Sequence, residues 1–206
     1  MKKKILIVTD FYKPHTSGIT TYIELTIKFL LDNNFNITLL TINHQNHLSN
    51  YEEVDKIKII RCKPLFGFRR GLYSFDLIKK FITESKKNDY INIHYPLAEI
   101  FPLIFWINNK TIFTYHCVPF YKSLLLKFIK LYFYFFGLIG MFYSKKVVSL
   151  SKDYITNFKL HHSFVNKINE IPPYVVKIPK IELNDKVKNN IDNNIINIGY
   201  LGRISE

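Results

Sequence analysis

Cysteine is nearly missing from this chain: Cys62 and Cys117 are the only two in 206 residues, far apart and in no CxxC or metal-ligand spacing. That excludes a disulfide framework and a zinc ribbon, and leaves two buried or loop thiols in a reducing compartment. Glycine occurs seven times and alanine once, and no GxGxxG follows any apolar strand. The dinucleotide fingerprint, which needs glycines at fixed offsets to admit a pyrophosphate, is therefore absent. Long apolar runs are also lacking. The longest, Leu131 to Tyr143, contains Gly137 and Gly140 and falls short of the roughly 20 residues that span a bilayer. Met1-Lys2-Lys3-Lys4 before Ile5-Leu6-Ile7-Val8 imitates a signal peptide, but Asp10 ends the apolar run too early for a secretory core. The expectation is a cytoplasmic protein. No internal repeat is present, and no RRM, KH or helix-turn-helix pattern points to nucleic acid.

What is abundant is positive charge. Lysine and arginine outnumber acids 29 to 16, giving a net charge of +13 and a pI near 9.6. Such a surplus suits an anionic partner, such as a nucleotide phosphate or a lipid headgroup. The richness in Lys, Asn, Ile, Phe and Tyr is equally the mark of an AT-rich genome. With 48% apolar residues the chain has ample material for a core.

Short apolar runs alternate with helical periodicity. Ile5 to Val8, Asn36 to Ile42, Ile57 to Cys62, Tyr90 to His94, Thr111 to Tyr115, Lys146 to Leu150 and Lys167 to Ile171 read as strands. Between them, Ile19 to Leu31 and Leu72 to Lys87 carry helical spacing, the second with Leu77, Ile78, Phe81 and Ile82 on one side. Leu97 to Ile107 and Tyr121 to Tyr143 are expected to be helices by length. This alternation predicts an α/β fold, a Rossmann-like parallel sheet with helices on both faces. Pro172-Pro173 closes the domain, predicted to span 1–175. A polar linker at 176–194 follows, and Ile195 to Tyr200 reads as the first strand of a second domain, 195–206.

Parallel sheets present ligand-facing residues beyond the carboxyl ends of their strands. After the first strand, the loop to Ser17-Gly18 delivers a small pair to a helix start, either an anion site or a simple helix cap. His15, His94 and His116 fall on that same edge, suited to sugar hydroxyls, phosphate or proton transfer, or to satisfied structural roles. No neighbouring carboxylate or cysteine completes a zinc set, so no metal is expected. His161-His162 reads as a solvated helix end. In the Phe120 to Lys146 segment, Lys122, Ser123, Lys127, Lys130 and Lys145 share one helical sector, with Phe128, Leu131 and Phe135 opposite. That pattern fits a helix lying in an anionic membrane interface, or a core helix with one wet face. Arg203, just past the last strand, has the planar fork that suits a diphosphate.

The order of these elements resembles the GT-B glycosyltransferases, specifically the family 4 type of retaining, metal-independent enzymes. The resemblance rests on Lys4 to Asp10 with the Pro14-to-Gly18 loop, Asn92-Ile93-His94-Tyr95-Pro96, Phe113-Thr114-Tyr115-His116, Val147 to Ser151, Lys167 to Pro172, and Ile198 to Arg203. It implies an N-terminal acceptor-binding domain and a donor domain of which only the first strand is present. It further implies transfer of a sugar from a nucleotide-sugar donor to a glycan or lipid-linked acceptor in cell-envelope polysaccharide synthesis, without cofactor or metal. His116 would contact the transferring sugar or its phosphate, and Gly18 and Arg203 would approach the donor diphosphate. The family's usual glycine pair is Ser17-Gly18 here, and its loop glycine after the Ile-Pro pair is lost at Pro173-Tyr174-Val175. On this reading the chain alone is inactive. Its alternatives are a non-catalytic membrane-surface or partner-binding module, and the acceptor subunit of a split enzyme whose donor domain is a separate chain. A peripheral position on the inner face of the cell membrane is the matching location.

Overall fold

A computed structural model describes residues 2–68, 71–97, 99–117, 127–151, 155 and 165–172, all within the compact unit Met1–Tyr174. The expected linker and second-domain strand, Arg203, His161-His162, Lys122 and Ser123 lie outside the described residues.

Eight strands form one sheet: β1 (Lys4–Val8), β2 (Asn36–Ile42), β3 (Tyr51–Val54), β4 (Ile57–Cys62), then β7 (Tyr90–Tyr95), β8 (Thr111–Tyr115), β9 (Lys146–Ser149) and β10 (Ile168–Glu170). The remaining two, β5 (Phe66–Phe68) and β6 (Gly71–Tyr73), pair as a small antiparallel hairpin. The sheet order is β10-β9-β8-β7-β1-β2-β4-β3, parallel throughout except for β3 against β4. The chain leaves β1 toward β2 on one side and later adds β7 on the other. The order therefore reverses between β1 and β7, and α/β sheets bind ligands beyond the strand ends at such a point.

Because side chains alternate across a strand, each face has its own core. On one face Ile5, Ile7, Ile37, Leu39, Ile57 and Ile59 pack under helix α1 (Gly18–Asp32), which contributes Ile23, Ile27 and Leu30 at helical spacing. On the other, Leu6, Val8, Leu40, Ile42, Ile91, Ile93, Tyr95 and Phe113 pack with Leu77 and Phe81 of α2 (Phe75–Lys87) and Phe133 and Met141 of α3 (Lys127–Tyr143). Beyond the reach of the first core, the α1 face of β7 and β8 turns polar. Asn92, His94 and Thr114 are buried there, and Thr114 Oγ1 donates to Asn92 Oδ1 at 2.7 Å.

Three expectations are corrected. Leu97 to Ile107 is no α-helix: it holds a six-residue 3₁₀ helix, Phe101–Trp106, followed by a second short one, Asn108–Lys110. The tighter 3₁₀ winding rises about 2.0 Å per residue, so it returns the chain across the sheet in fewer residues, and Pro102 at its start needs no amide partner. Helix α2 starts at Phe75, not Leu72. Ser74 caps it, accepting the Leu77 N–H at 3.1 Å, while Leu72 belongs to the hairpin. Ile82 is exposed, leaving Leu77 and Phe81 with the aliphatic parts of Glu84 and Ser85 as the buried face.

Candidate functional site at the carboxyl edge of the sheet

His94 is the last residue but one of β7 and His116 directly follows β8, two residues beyond Thr114 on the same face. The structure brings them into contact: His94 Nδ1 and His116 Nε2 are 2.9 Å apart, with the rings nearly parallel. Tyr22 of α1, one turn after Gly18, sets its ring edge-on to both, 6.1 Å from His94 and 5.2 Å from His116 between centroids. Burial pushes His116 down to about 4, and burial together with the neighbouring His116 holds His94 well below the ordinary imidazole range. Both rings are therefore neutral at pH 7.

Two neutral imidazoles that share one hydrogen bond carry one proton between the bonded nitrogens. His94 Nε2 is buried without a hydrogen-bond partner. An orphaned N–H is rarer and costlier in a protein interior than an orphaned acceptor. That favours His94 protonated on Nδ1 and donating to His116 Nε2. His116 then carries its own proton on Nδ1, as a donor for a ligand oxygen.

Ser17 caps α1, accepting the Thr20 N–H at 3.1 Å, and Thr21 N–H closes the first helical bond to the Ser17 carbonyl at 3.0 Å. A side chain at Gly18 would meet no heavy atom within 4 Å, so the start of α1 stands open. Open amides at a helix start carry partial positive charge.

His15 lies elsewhere on the edge. Its ring lies tilted against Phe11, 4.6 Å between centroids, and meets His44, beyond β2, edge-on at 5.8 Å. Arg61, buried at the end of β4, ties this loop down. It donates from Nη1 to the Ser49 carbonyl at 3.2 Å and to Glu52, and from Nη2 to the Lys13 carbonyl at 3.3 Å. Asp10, two residues beyond β1, feels the charge of Glu99, which lies after β7. Burial and then Glu99 push Asp10 well up, and burial pushes Glu99 up to about 7, so both favour the protonated form. Asp10 Oδ1 and Glu99 Oε1 are buried without hydrogen-bond partners.

Of the predicted residues, His94 and His116 are joined, Ser17 and Gly18 begin the helix that touches them through Tyr22, and His15 sits in a separate aromatic group. Tyr22, His44, Asp10, Glu99 and Arg61 escaped the reading of the sequence. Asp10 and His44 each stand two residues beyond a strand end, where the edge rule could have found them. Tyr22 is one turn from Gly18, and nothing in the sequence around Glu99 marks it. Among the described residues no group of three or more His, Cys, Asp or Glu could hold a metal ion. A recess of about 860 Å³ lined by Lys2, Lys3, Asn33, Asn34 and Phe35 lies at the opposite, amino edge, away from these groups.

No family model matches the sequence, and no curated protein does. Solved structures do match in fold. Sucrose-phosphate synthase from Thermosynechococcus elongatus superposes with a TM-score of 0.58 at 12% identity, over 83% of this chain and 48% of the enzyme. A shorter chain of the same enzyme gives 0.57 at 15% identity, over 82% of this chain and 88% of that one. The chain thus spans about half the length of the longer enzyme structure. With its mostly parallel eight-stranded sheet between helices, it has the Rossmann-like fold of GT-B glycosyltransferases.

Proposed function

We propose that this chain supplies the acceptor side of a retaining GT-B glycosyltransferase of the family 4 kind, working with a domain that binds a nucleotide sugar. The observation that carries this reading is the buried, neutral His94–His116 pair at the reversal of strand order, joined through Tyr22 to the helix that Ser17-Gly18 begin.

Each part has a chemical use. His94 fixes the tautomer of His116, leaving the Nδ1–H of His116 to meet a sugar or phosphate oxygen. The open amides at the start of α1 stabilise negative charge as it grows on the leaving diphosphate. Fixed donors aimed at developing charge supply the larger share of catalysis in such a site. The acceptor hydroxyl attacks from the face the diphosphate leaves, with no metal in the scheme. The resemblance gives Arg203 to the same diphosphate, and a glycan or lipid-linked acceptor in envelope synthesis completes the proposal.

The test is calorimetry with UDP, GDP and their sugars, on this chain alone and mixed with the product of any adjacent gene. Heat from one nucleotide sugar in the mixture, lost with His116→Ala, is the expected result. No heat in either sample would leave the fold without this activity.

A further inference from the structure

Helix α3 is apolar on two sides. Its inner side packs on the sheet through Phe133 and Met141, and Gly137 lets it sit close: a Cβ there would lie 3.3 Å from the Tyr95 ring. Tyr95 Oη also donates to the Phe133 carbonyl at 2.8 Å. The other side carries Phe128, Leu131, Phe135 and Phe142, spaced 3, 4 and 7 residues apart and thus in one stripe, with exposures of 74%, 61%, 57% and 51%. Of the two expectations for this segment, the core helix with one wet face is incomplete, because Phe128, Leu131 and Phe135, placed opposite the lysines, are exposed.

The adjoining 3₁₀ helix extends the stripe. Phe105 packs on Tyr143 at 4.2 Å, and Trp106 beside it is 79% exposed. Apolar stripes this long are normally covered. The charge of this stretch of the sequence says by what. From Ile100 to Lys152 the sequence holds seven lysines and no aspartate or glutamate. Lys145 and Lys146 are exposed where α3 ends, and Lys167 reaches the Phe142 carbonyl and lies 5.6 Å over its ring. No described helix is long and apolar enough to cross a membrane.

We propose that this face, the outer stripe of α3 with Phe105 and Trp106, docks on the interface of an anionic lipid bilayer. Aromatic rings suit the boundary between headgroups and acyl chains, and lysines around them are drawn to anionic headgroups. A segment that holds lysines and no acid suits a uniformly anionic surface better than a partner of mixed charge. The surface stands on its own observations and does not depend on the proposed enzymatic role.

The chain contains one tryptophan, Trp106, which makes it a reporter. Its emission is followed as the full chain is titrated with phosphatidylcholine vesicles, with and without about 30% phosphatidylglycerol. The expected result is a saturable blue shift on the anionic vesicles, reversed by about 0.5 M salt. Phe135→Ser with Phe142→Ser should weaken it about tenfold or more at an unchanged melting temperature, since each exposed ring loses its lipid contact. If the double variant melts early, Phe128→Ser, near the start of α3, serves instead. An unchanged emission with anionic vesicles, an equal shift on neutral ones, or a shift indifferent to the substitutions would overturn the proposal. So would a shift that follows protein concentration without lipid, with a dimer in sedimentation, which would assign the face to a second copy.

Discussion

On the α1 side of the sheet's carboxyl edge, burial drives His116 down to about 4 and His94 down with it; toward α2 and α3, the same burial drives Glu99 up to about 7 and Asp10 up with it. A base and an acid taken out of water respond oppositely: the histidines end uncharged at neutral pH, Asp10 is pushed toward its protonated form, and Glu99 titrates at about 7. The difference between the regions lies in how they satisfy that state. The histidines hold each other through a 2.9 Å bond and leave His94 Nε2 without a partner, whereas Asp10 and Glu99 each keep a buried oxygen without one. Positive charge for a phosphate at this edge must therefore come from backbone amides and outlying cations, not from imidazolium.

The comparison breaks most visibly under acid. A histidine ordinarily near 6.5 and folded near 4 contributes stability above pH 6.5 that is lost as pH falls through 4, because the unfolded chain takes the proton first. For His116 that loss is roughly 3 kcal/mol. His116→Ala should cost about 3 kcal/mol at pH 7.5, through the cavity and the stranded His94, and should flatten the acid limb. Urea melts at pH 7.5, 5.5 and 4.5 check this; an acid limb as steep as that of the parent would show that His116 is not held neutral.

The carboxyl pair has the opposite sign. Glu99, ordinarily near 4.5 and folded near 7, contributes stability below pH 4.5 that is lost as pH rises through 7. Glu99→Gln keeps the shape and removes the charge, so it should raise stability at pH 7.5 by about 1 to 2 kcal/mol and leave the histidine-driven acid limb steeper than in the parent. Equal melts at pH 7.5 would place that carboxyl in water.

How much of this the sequence showed follows the same division. Strands buried on both faces announce themselves as continuous apolar runs, and β1, β2, β4 and β8 were legible within a residue. The edge strand β3, Tyr-Glu-Glu-Val, carries no such run. It joins β4 through Asp55 and Lys56, both at positive φ, and a lysine in that conformation gives none of the Asn-Gly or Asp-Gly signal of a tight hairpin. At the site, His94 and His116 could be placed on one edge by topology, but not in contact, because the facing of β7 against β8 sets their register. Glu99 was illegible for a deeper reason: it follows β7 in a loop, and only packing against elements distant in sequence buries its carboxyl. At α3 the sequence left two orientations open, since apolar periodicity tells how residues cluster around a helix and not which cluster meets the sheet.

The smallest expected effect calibrates the others. Ser17 caps α1 through the Thr20 N–H at 3.1 Å and lies 3.0 Å from the Thr20 hydroxyl, with no titrating group in either contact. Ser17→Ala should cost about 1 kcal/mol, and Ser17→Gly, which restores the glycine pair of the resemblance, only a few tenths. Because the cap is uncharged, that cost should be the same at pH 7.5 and pH 4.5, unlike those of His116→Ala and Glu99→Gln. Tyr22 links the helix to the histidines, so a cap cost that changes with pH would mean that α1 shifts when the pair takes up its proton. The acid limb would then report movement of the helix as well as burial of the rings, and measuring Tyr22→Leu in the Ser17→Ala background would separate the two.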